Sequence, residues 1–371
     1  MFIQKLENLN LDINATEFAI STALKKSTIH IFKVFQIPLS AAHILKQEAL
    51  SSGGDFIVSR DMILCRDKFY DGIIIATQSQ MEHIINKCNI QPFGLKNLAT
   101  ILKQHLNKPT LKPKIMGIIN ITDDSFYEDS RVKSTKQIIS KIEDMINFGV
   151  HIIDIGGASS RPGSKEIEPN IEIDRIKDAV SEIYKQNLTK KAIFSIDSYN
   201  YQTAKLCVEF GFKIINDVYG LKDMRLAELA KNNDNKIIIM HNSNIMPHKK
   251  NITQSLDEFF TTKIEELASM GIKKEQIILD IGFGFGKNTK ENLELIKNLG
   301  HFKHFDCEIL VGASRKRSIG EITNKDTKDR LSGTLSLHQR ALDNGANIIR
   351  CHDYKEHIDM FAIWQELNAK Q

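Results

Sequence analysis

The sequence predicts an α/β protein in which a (β/α)8 TIM barrel, residues 113–371, follows a small N-terminal α/β domain, residues 1–112. From residue 115 a short apolar run is followed by polar residues and then an amphipathic stretch, eight times over. Strands alternating with helices imply βαβ units and a parallel sheet. The runs are nearly all apolar, as strands buried on both faces must be. The span, roughly 250 residues, is what a (β/α)8 barrel takes. A doubly wound open sheet is the alternative topology.

The first domain has its own rhythm. Residues 29–35 alternate like a strand, and Pro38 precedes a helical run at 41–50. Ser51-Ser52-Gly53-Gly54 stops that helix. Residues 56–58 and 72–77 read as further strands, with Ser79 placed to cap a helix at 80–88. A last helix, 95–106, runs into a linker marked by Pro109 and Pro113. His43, His83 and His105 are isolated on helical patterns, and nothing here points to catalysis.

In the barrel the apolar runs are 115–119, 151–155, 192–196, 213–215, 236–240, 277–279, 308–311 and 347–349. Amphipathic segments such as 135–148, 171–184, 256–270 and 292–299 lie between them. Each run ends in chemistry: Asn120, then Gly156 through Gly163, Asp197, Asn216-Asp217, His241, Asp280, Ser314-Arg315-Lys316, and Arg350 with His352. One polar residue at a strand end is usually a cap. A succession of eight at the same end marks the face where barrel active sites form. Gly282, Gly284 and Gly286 let the backbone turn tightly after Asp280, with Phe283 and Phe285 between them as walls for a flat ring.

The residue types describe a ligand. Asp197, Asn216 and Asp280 suit the donor-rich edge of a heterocycle, since a carboxylate accepts two parallel N–H bonds. Arg161, Lys316, Arg350 and His352 suit a phosphate or diphosphate. Asn120 with Asp124 suits Mg²⁺, which prefers oxygen ligands and keeps waters and phosphates in its shell. Met240 and Phe285 offer apolar surfaces for stacking. Together they fit a nitrogen heterocycle carrying a diphosphate.

Composition excludes other classes. The formal net charge is +4, too slight to argue for nucleic acid, and 42% hydrophobic with 26% charged residues is ordinary for a globular chain. Five scattered cysteines, none in a C-x-x-C pair, favour a reducing compartment over a disulfide framework. Residues 1–18 lack a basic-then-apolar run, and no apolar stretch reaches membrane-spanning length. The expectation is cytoplasmic, with no membrane or nucleic-acid partner.

With these residues assembled, residues 114–370 resemble dihydropteroate synthase of the folate pathway. The resemblance rests on spaced motifs: Met116-Gly117-Ile118-Ile119-Asn120-Ile121-Thr122, Asp154-Ile155-Gly156-Gly157 through Ser160-Arg161-Pro162-Gly163, Asp197, Asn216-Asp217, Met240-His241, residues 280–288, Ser314-Arg315-Lys316, and Arg350 with His352-Asp353. It implies condensation of 6-hydroxymethyl-7,8-dihydropterin diphosphate with 4-aminobenzoate, using Mg²⁺, and a homodimer through barrel helices. On family roles Asp197, Asn216, Asp280 and Lys316 hold the pterin, with Met240, Phe285 and Arg350 against it. Gly284 stands in the same turn. Asn120, Arg350 and His352 hold the diphosphate and its metal. Ser160, Arg161, Phe285 and Lys316 form the aminobenzoate site, where sulfonamides compete. Asp197, Lys316 and Arg350 are the expected catalytic groups.

The sequence departs from the family pattern at Asp123, at Tyr127-Glu128-Asp129-Ser130, at Ala158 and Ser160, after Asp197, and at Ile281. Two alternatives share the pterin readers. One is a barrel that transfers a methyl group from methyltetrahydrofolate to a corrinoid protein, which has no use for Ser160-Arg161-Pro162-Gly163 or Ser314-Arg315-Lys316. The other is a non-catalytic pterin-binding paralogue.

Overall fold

The computed structural model describes residues 15–106, 112–121, 128–158, 167–247 and 251–368, the side chains of 128–134 aside. They fall into two compact units that divide between residues 106 and 112.

The first unit runs α1 (Glu17–Ser27), β1 (Ile29–Pro38), α2 (Leu39–Ser51), β2 (Asp55–Val58), β3 (Phe69–Thr77), α3 (Gln78–Cys88) and α4 (Leu95–Leu106). The strands form an antiparallel sheet in the order β1-β3-β2. Its core is apolar, with Ala42, Leu45, Phe56, Ile74, Met81 and Ile84 buried. Phe56 lies across Gly72, where a Cβ would meet the ring at 2.3 Å. Two local expectations need correction. Ser79 is not the cap of α3; Thr77 is, in a capping box with Gln80. The first strand also runs beyond residue 35 to Pro38, its register shifting between Val34 and Ile37. The helix α1 had no counterpart in the sequence reading.

The second unit is a closed barrel of parallel strands, not an open sheet. They are β4 (Lys114–Asn120), β5 (Ile152–Gly156), β6 (Ile193–Asp197), β7 (Ile214–Asp217), β8 (Lys236–Met240), β9 (Ile277–Asp280), β10 (Glu308–Val311) and β11 (Ile348–Cys351), paired in sequence order with β11 closing on β4. The helices between and after them are α5 (Glu128–Asn147), α6 (Pro169–Lys185), α7 (Tyr201–Glu209), α8 (Arg225–Asn232), α9 (Ile252–Ser269), α10 (Thr289–Lys297), α11 (Arg317–Thr323), α12 (Leu331–Asp343) and α13 (Tyr354–Asn368). The main core lies between strands and helices, where outward strand residues such as Ile155, Ile196, Ile239, Leu279 and Val311 pack. At the N-terminal end of the strands Glu308 accepts from both Lys114 and Lys236, a stabilising cluster remote from the opposite face. No helix among the described residues is long and apolar enough to cross a membrane.

Candidate active site

Strand alternation decides what reaches the mouth of the barrel. Inside, Met116, Ile152, Ile214, Ile238, Ile278, Leu310 and Ile348 form one apolar layer. Side chains two residues further along a strand point the same way. Those positions hold Ile118, Asp154, Asn216, Met240, Asp280, Gly312 and Arg350, and Ser195 leads likewise to Asp197. The apolar plug therefore ends, and the polar tier begins, one step on along the strands. Register aligns the tier: Asn120 pairs with Gly156, Gly156 with Asp197, Asp197 with Asn216, and Met240 with Asp280. Asp197, Asn216, Asp280 and Arg350 belong to the strands themselves and do not follow them.

Arg350 organises this tier. Its Nε donates to Asp154 Oδ2 at 2.7 Å and its Nη2 to Asp197 Oδ2 at 2.6 Å. Asn216 Nδ2 donates to the same Asp154 oxygen at 3.1 Å. Burial opposes the guanidinium's charge, but Asp154 and Asp197 outweigh it and raise the Arg350 pKa. Asp197 is pushed up to about 7 by burial, against the pull of Arg350 and with help from Asp154. Asp154 Oδ1 and Asn216 Oδ1 are buried with no hydrogen-bond partner among the described residues. Buried acceptors are rarely left so, and these two fit the N–H groups of a bound ring.

The turn after β9 is fastened at several points. Asp280 Oδ1 accepts from Gly282 N at 2.7 Å, and burial raises the pKa of this acid. Gly282 has φ +61°, and a Cβ there would sit 2.0 Å from the His241 carbonyl oxygen. Lys287 is buried, its Nζ donating to the carbonyls of His241 at 2.8 Å and Gly282 at 2.9 Å. Asn292 Oδ1 accepts from Gly284 N at 2.8 Å. The turn presents Phe285, and Lys316 Nζ lies 4.1 Å from its ring centroid. Burial and the charge of Arg350 lower the Lys316 pKa to about 8.

Two further turns, after β10 and β11, carry the remaining cations. Ser314 Oγ lies 3.0 Å from His352 Nδ1 and accepts from His352 N at 3.3 Å. The hydroxyl can donate to Nδ1, and that tautomer keeps the ring proton on His352 Nε2. Partial burial and Arg350 hold that imidazole below its ordinary value. Arg315, with φ +54°, turns away from the mouth and grips Asp353 through two bonds of 2.8 and 2.7 Å.

The structure thus brings Asp197, Asn216, Met240, Asp280, Gly284, Phe285, Lys316, Arg350 and His352 to one end of the barrel. Asn120 joins them at the end of β4, exposed. Ser160, Arg161 and Asp124 lie outside the described residues. Phe283 does not wall the site; it is buried in the strand–helix core. Sequence reasoning gave no role to three residues. Asp154 could have been found as the one acid inside an apolar run. Lys287 was visible at the end of the glycine turn. Glu172, buried on α6 and accepting from Ser198 Oγ, Asn200 Nδ2 and Thr203 Oγ1, carried no local signal.

The sequence profile of the pterin binding enzyme family matches residues 116–352, the stretch that builds this tier. The chain belongs to that family. Its relatives place it with the dihydropteroate synthases. It is 45% identical over 371 residues to the bifunctional dihydropteroate synthase/dihydropteroate reductase of Helicobacter pylori, covering 98% of this chain and 96% of the relative. It is 35% identical to the dihydropteroate synthase of Escherichia coli over 70% of this chain and 93% of that one. The solved dihydropteroate synthase from Clostridium difficile, determined with pteroic acid, superimposes with a TM-score of 0.65 at 33% identity, over 71% of this chain and 98% of that one.

Proposed function

We propose that the chain condenses 6-hydroxymethyl-7,8-dihydropterin diphosphate with 4-aminobenzoate, giving 7,8-dihydropteroate and pyrophosphate. The observation that carries this reading is the buried cluster of Asp154, Arg350, Asp197 and Asn216, with unpartnered acceptor oxygens on Asp154 and Asn216. Asp197, Asn216 and Asp280 accept from the pterin's N–H edge, and Met240 lies beneath the ring. Lys316 and Arg350 face the reacting methylene and its leaving group, and His352 Nε2 donates to the diphosphate. Phe285 walls the aminobenzoate side, to which the family resemblance also assigns Ser160 and Arg161.

The carbon–oxygen bond breaks with its electron pair leaving on pyrophosphate. Arg350, fixed beforehand by its two buried carboxylates, and Lys316, set over the Phe285 ring, stabilise that growing charge. The pterin and nearby Asp197 carboxylate offset the electron-poor methylene. The arylamine nitrogen then forms the new bond and gives up its proton. No protein nucleophile is needed.

We infer that Asn120, at the end of β4, would hold Mg²⁺. Asn120 pairs with Gly156, which pairs in turn with Asp197, so its carboxamide stands two strands from that acid at the same level of the barrel. One amide oxygen completed by waters and diphosphate oxygens is ordinary Mg²⁺ ligation. Bound there, the ion would neutralise charge on the leaving group.

A second activity is supported by the reach of the alignments. The relative matched over nearly the whole chain, first unit included, is named as a reductase as well as a synthase, whereas the E. coli synthase matches only 70%. We propose that the first unit serves reduction of dihydropteroate, which takes up a hydride and a proton from a two-electron donor. The protein is also proposed to work as a homodimer in the cytoplasm. Its cysteines Cys88, Cys207, Cys307 and Cys351 are buried and none is in a disulfide.

The test is chromatographic detection of dihydropteroate from the purified chain with both substrates, with and without Mg²⁺. Pterin bound without product would move the non-catalytic reading to the front. Tetrahydropteroate formed on adding reduced nicotinamide or flavin, by the full chain but not by a variant lacking residues 1–112, would support the second activity.

A further inference from the structure

Two histidines that take no part in the proposed chemistry connect the turns that do. His338 lies on α12 and His357 on α13, and both are fully buried. His338 Nε2 accepts from the backbone N–H of Ala313 at 2.9 Å. His338 Nδ1 lies 2.7 Å from His357 Nε2, and His357 Nδ1 lies 2.5 Å from the backbone carbonyl of Asp353.

The two ends of this chain dictate every proton in it. A backbone N–H can only donate, so His338 Nε2 carries no proton and Nδ1 must. That proton goes to His357 Nε2, so the proton of His357 sits on Nδ1 and points at the Asp353 carbonyl. A further proton on either ring would face a donor and break a link. Burial holds both imidazoles below their ordinary value, which keeps them neutral.

The anchored atoms are not arbitrary. Ala313 directly precedes Ser314, Arg315 and Lys316. Asp353 directly follows His352, and its carboxylate holds Arg315. The relay spans the bases of the two turns that Ser314 and His352 also join. We propose that His338 and His357 form a neutral imidazole relay that fixes the separation of these two turns, making both positioning residues for the diphosphate end of the site. The inference rests on the assignment of that end to the diphosphate.

The test compares His338→Leu with His338→Gln in the full chain. Glutamine keeps an acceptor for Ala313 and a donor for His357; leucine keeps neither. For the leucine variant kcat/KM for the pterin diphosphate should fall about tenfold or more, as small misplacements do. Affinity for 6-hydroxymethyl-7,8-dihydropterin, which lacks the diphosphate, should stay within about twofold, since the ring contacts are elsewhere. The glutamine variant should recover most of the loss. A folded leucine variant with unchanged kcat/KM overturns the proposal. Equal loss of both affinities overturns it too, by removing the diphosphate from these turns. Nitrogen NMR of the wild-type histidines gives an independent check at pH 7. It should show both rings neutral and protonated on Nδ1, and a proton on Nε2 of either ring refutes the relay even where the leucine variant does not fold.

Discussion

Replacing Arg350 with alanine is expected to cost stability as well as activity, and the cost should grow with pH. The guanidinium is the bonded partner of two carboxylates, Asp154 and Asp197, that are almost wholly inaccessible. Removing one partner of a buried ion pair leaves an uncompensated charge, at about 3–5 kcal/mol. For a domain of this size that lowers Tm by roughly 10 °C. Asp197 sets the pH dependence. Its folded pKa, about 7, is above its unfolded value of 3.8. The native state therefore holds the extra proton, and this group's contribution to stability falls as pH rises from 3.8 to about 7. Without Arg350 the folded value climbs further, so the fall continues, adding about 1.4 kcal/mol to the deficit for each pH unit above neutrality. Thermal unfolding followed by circular dichroism at pH 6 and pH 8.5 measures it, beside product assays at both. The companion variant Arg350→Ala/Asp154→Asn/Asp197→Asn should regain stability and remain inactive. A deficit below about 1 kcal/mol, or one that does not change with pH, would refute the buried-cluster argument.

Other expectations follow from the same tier and its supports. In the wild type, kcat/KM for the pterin diphosphate should rise with pH through about 7 as Asp197 ionises, and Asp197→Asn should flatten that profile at a much lower level. Gly282→Ala puts a methyl against the His241 carbonyl at a left-handed φ, so turnover should drop by at least about a hundredfold, as active-site misplacement does. The two phenylalanines should separate cleanly. Phe283→Ala should cost about 3–5 kcal/mol of stability in urea titrations with KM unchanged, whereas Phe285→Ala should raise KM for aminobenzoate at nearly unchanged stability. Glu308→Ala should lower Tm without altering kcat. Burial would raise this acid's pKa, but Lys114 and Lys236 hold it lower, so its contribution is lost as pH falls through the folded value.

What the sequence made legible follows from which interactions are local. A strand announces itself by consecutive apolar residues, so the barrel strands could be located within a residue or two, and acids closing such runs stood out. The glycine turn was legible because its left-handed backbone needs Gly282, which the sequence supplies. What could not be read was pairing. Arg350 looked free for an anion because nothing in its neighbourhood along the chain names Asp154 and Asp197, 196 and 153 residues away. Phe283 and Phe285 looked alike until the turn sent one outward into the core and the other over the mouth. The histidine relay was invisible for the same reason, since His338 and His357 are unremarkable on their own helices and acquire meaning only from the atoms at either end. Strand spacing gives direction, two residues per repeat, and in a closed barrel direction is nearly enough. Once the apolar layer is known, the next inward residue of each strand must face the mouth, and the site follows by counting. The supports of the site obey no such count. Lys287, Glu172 and the two histidines come from turns and helices, where the angle at which an element packs decides what it touches. The tier that meets the substrate is therefore written in the strands, while the rigidity that lets it act is written in contacts only the folded chain contains.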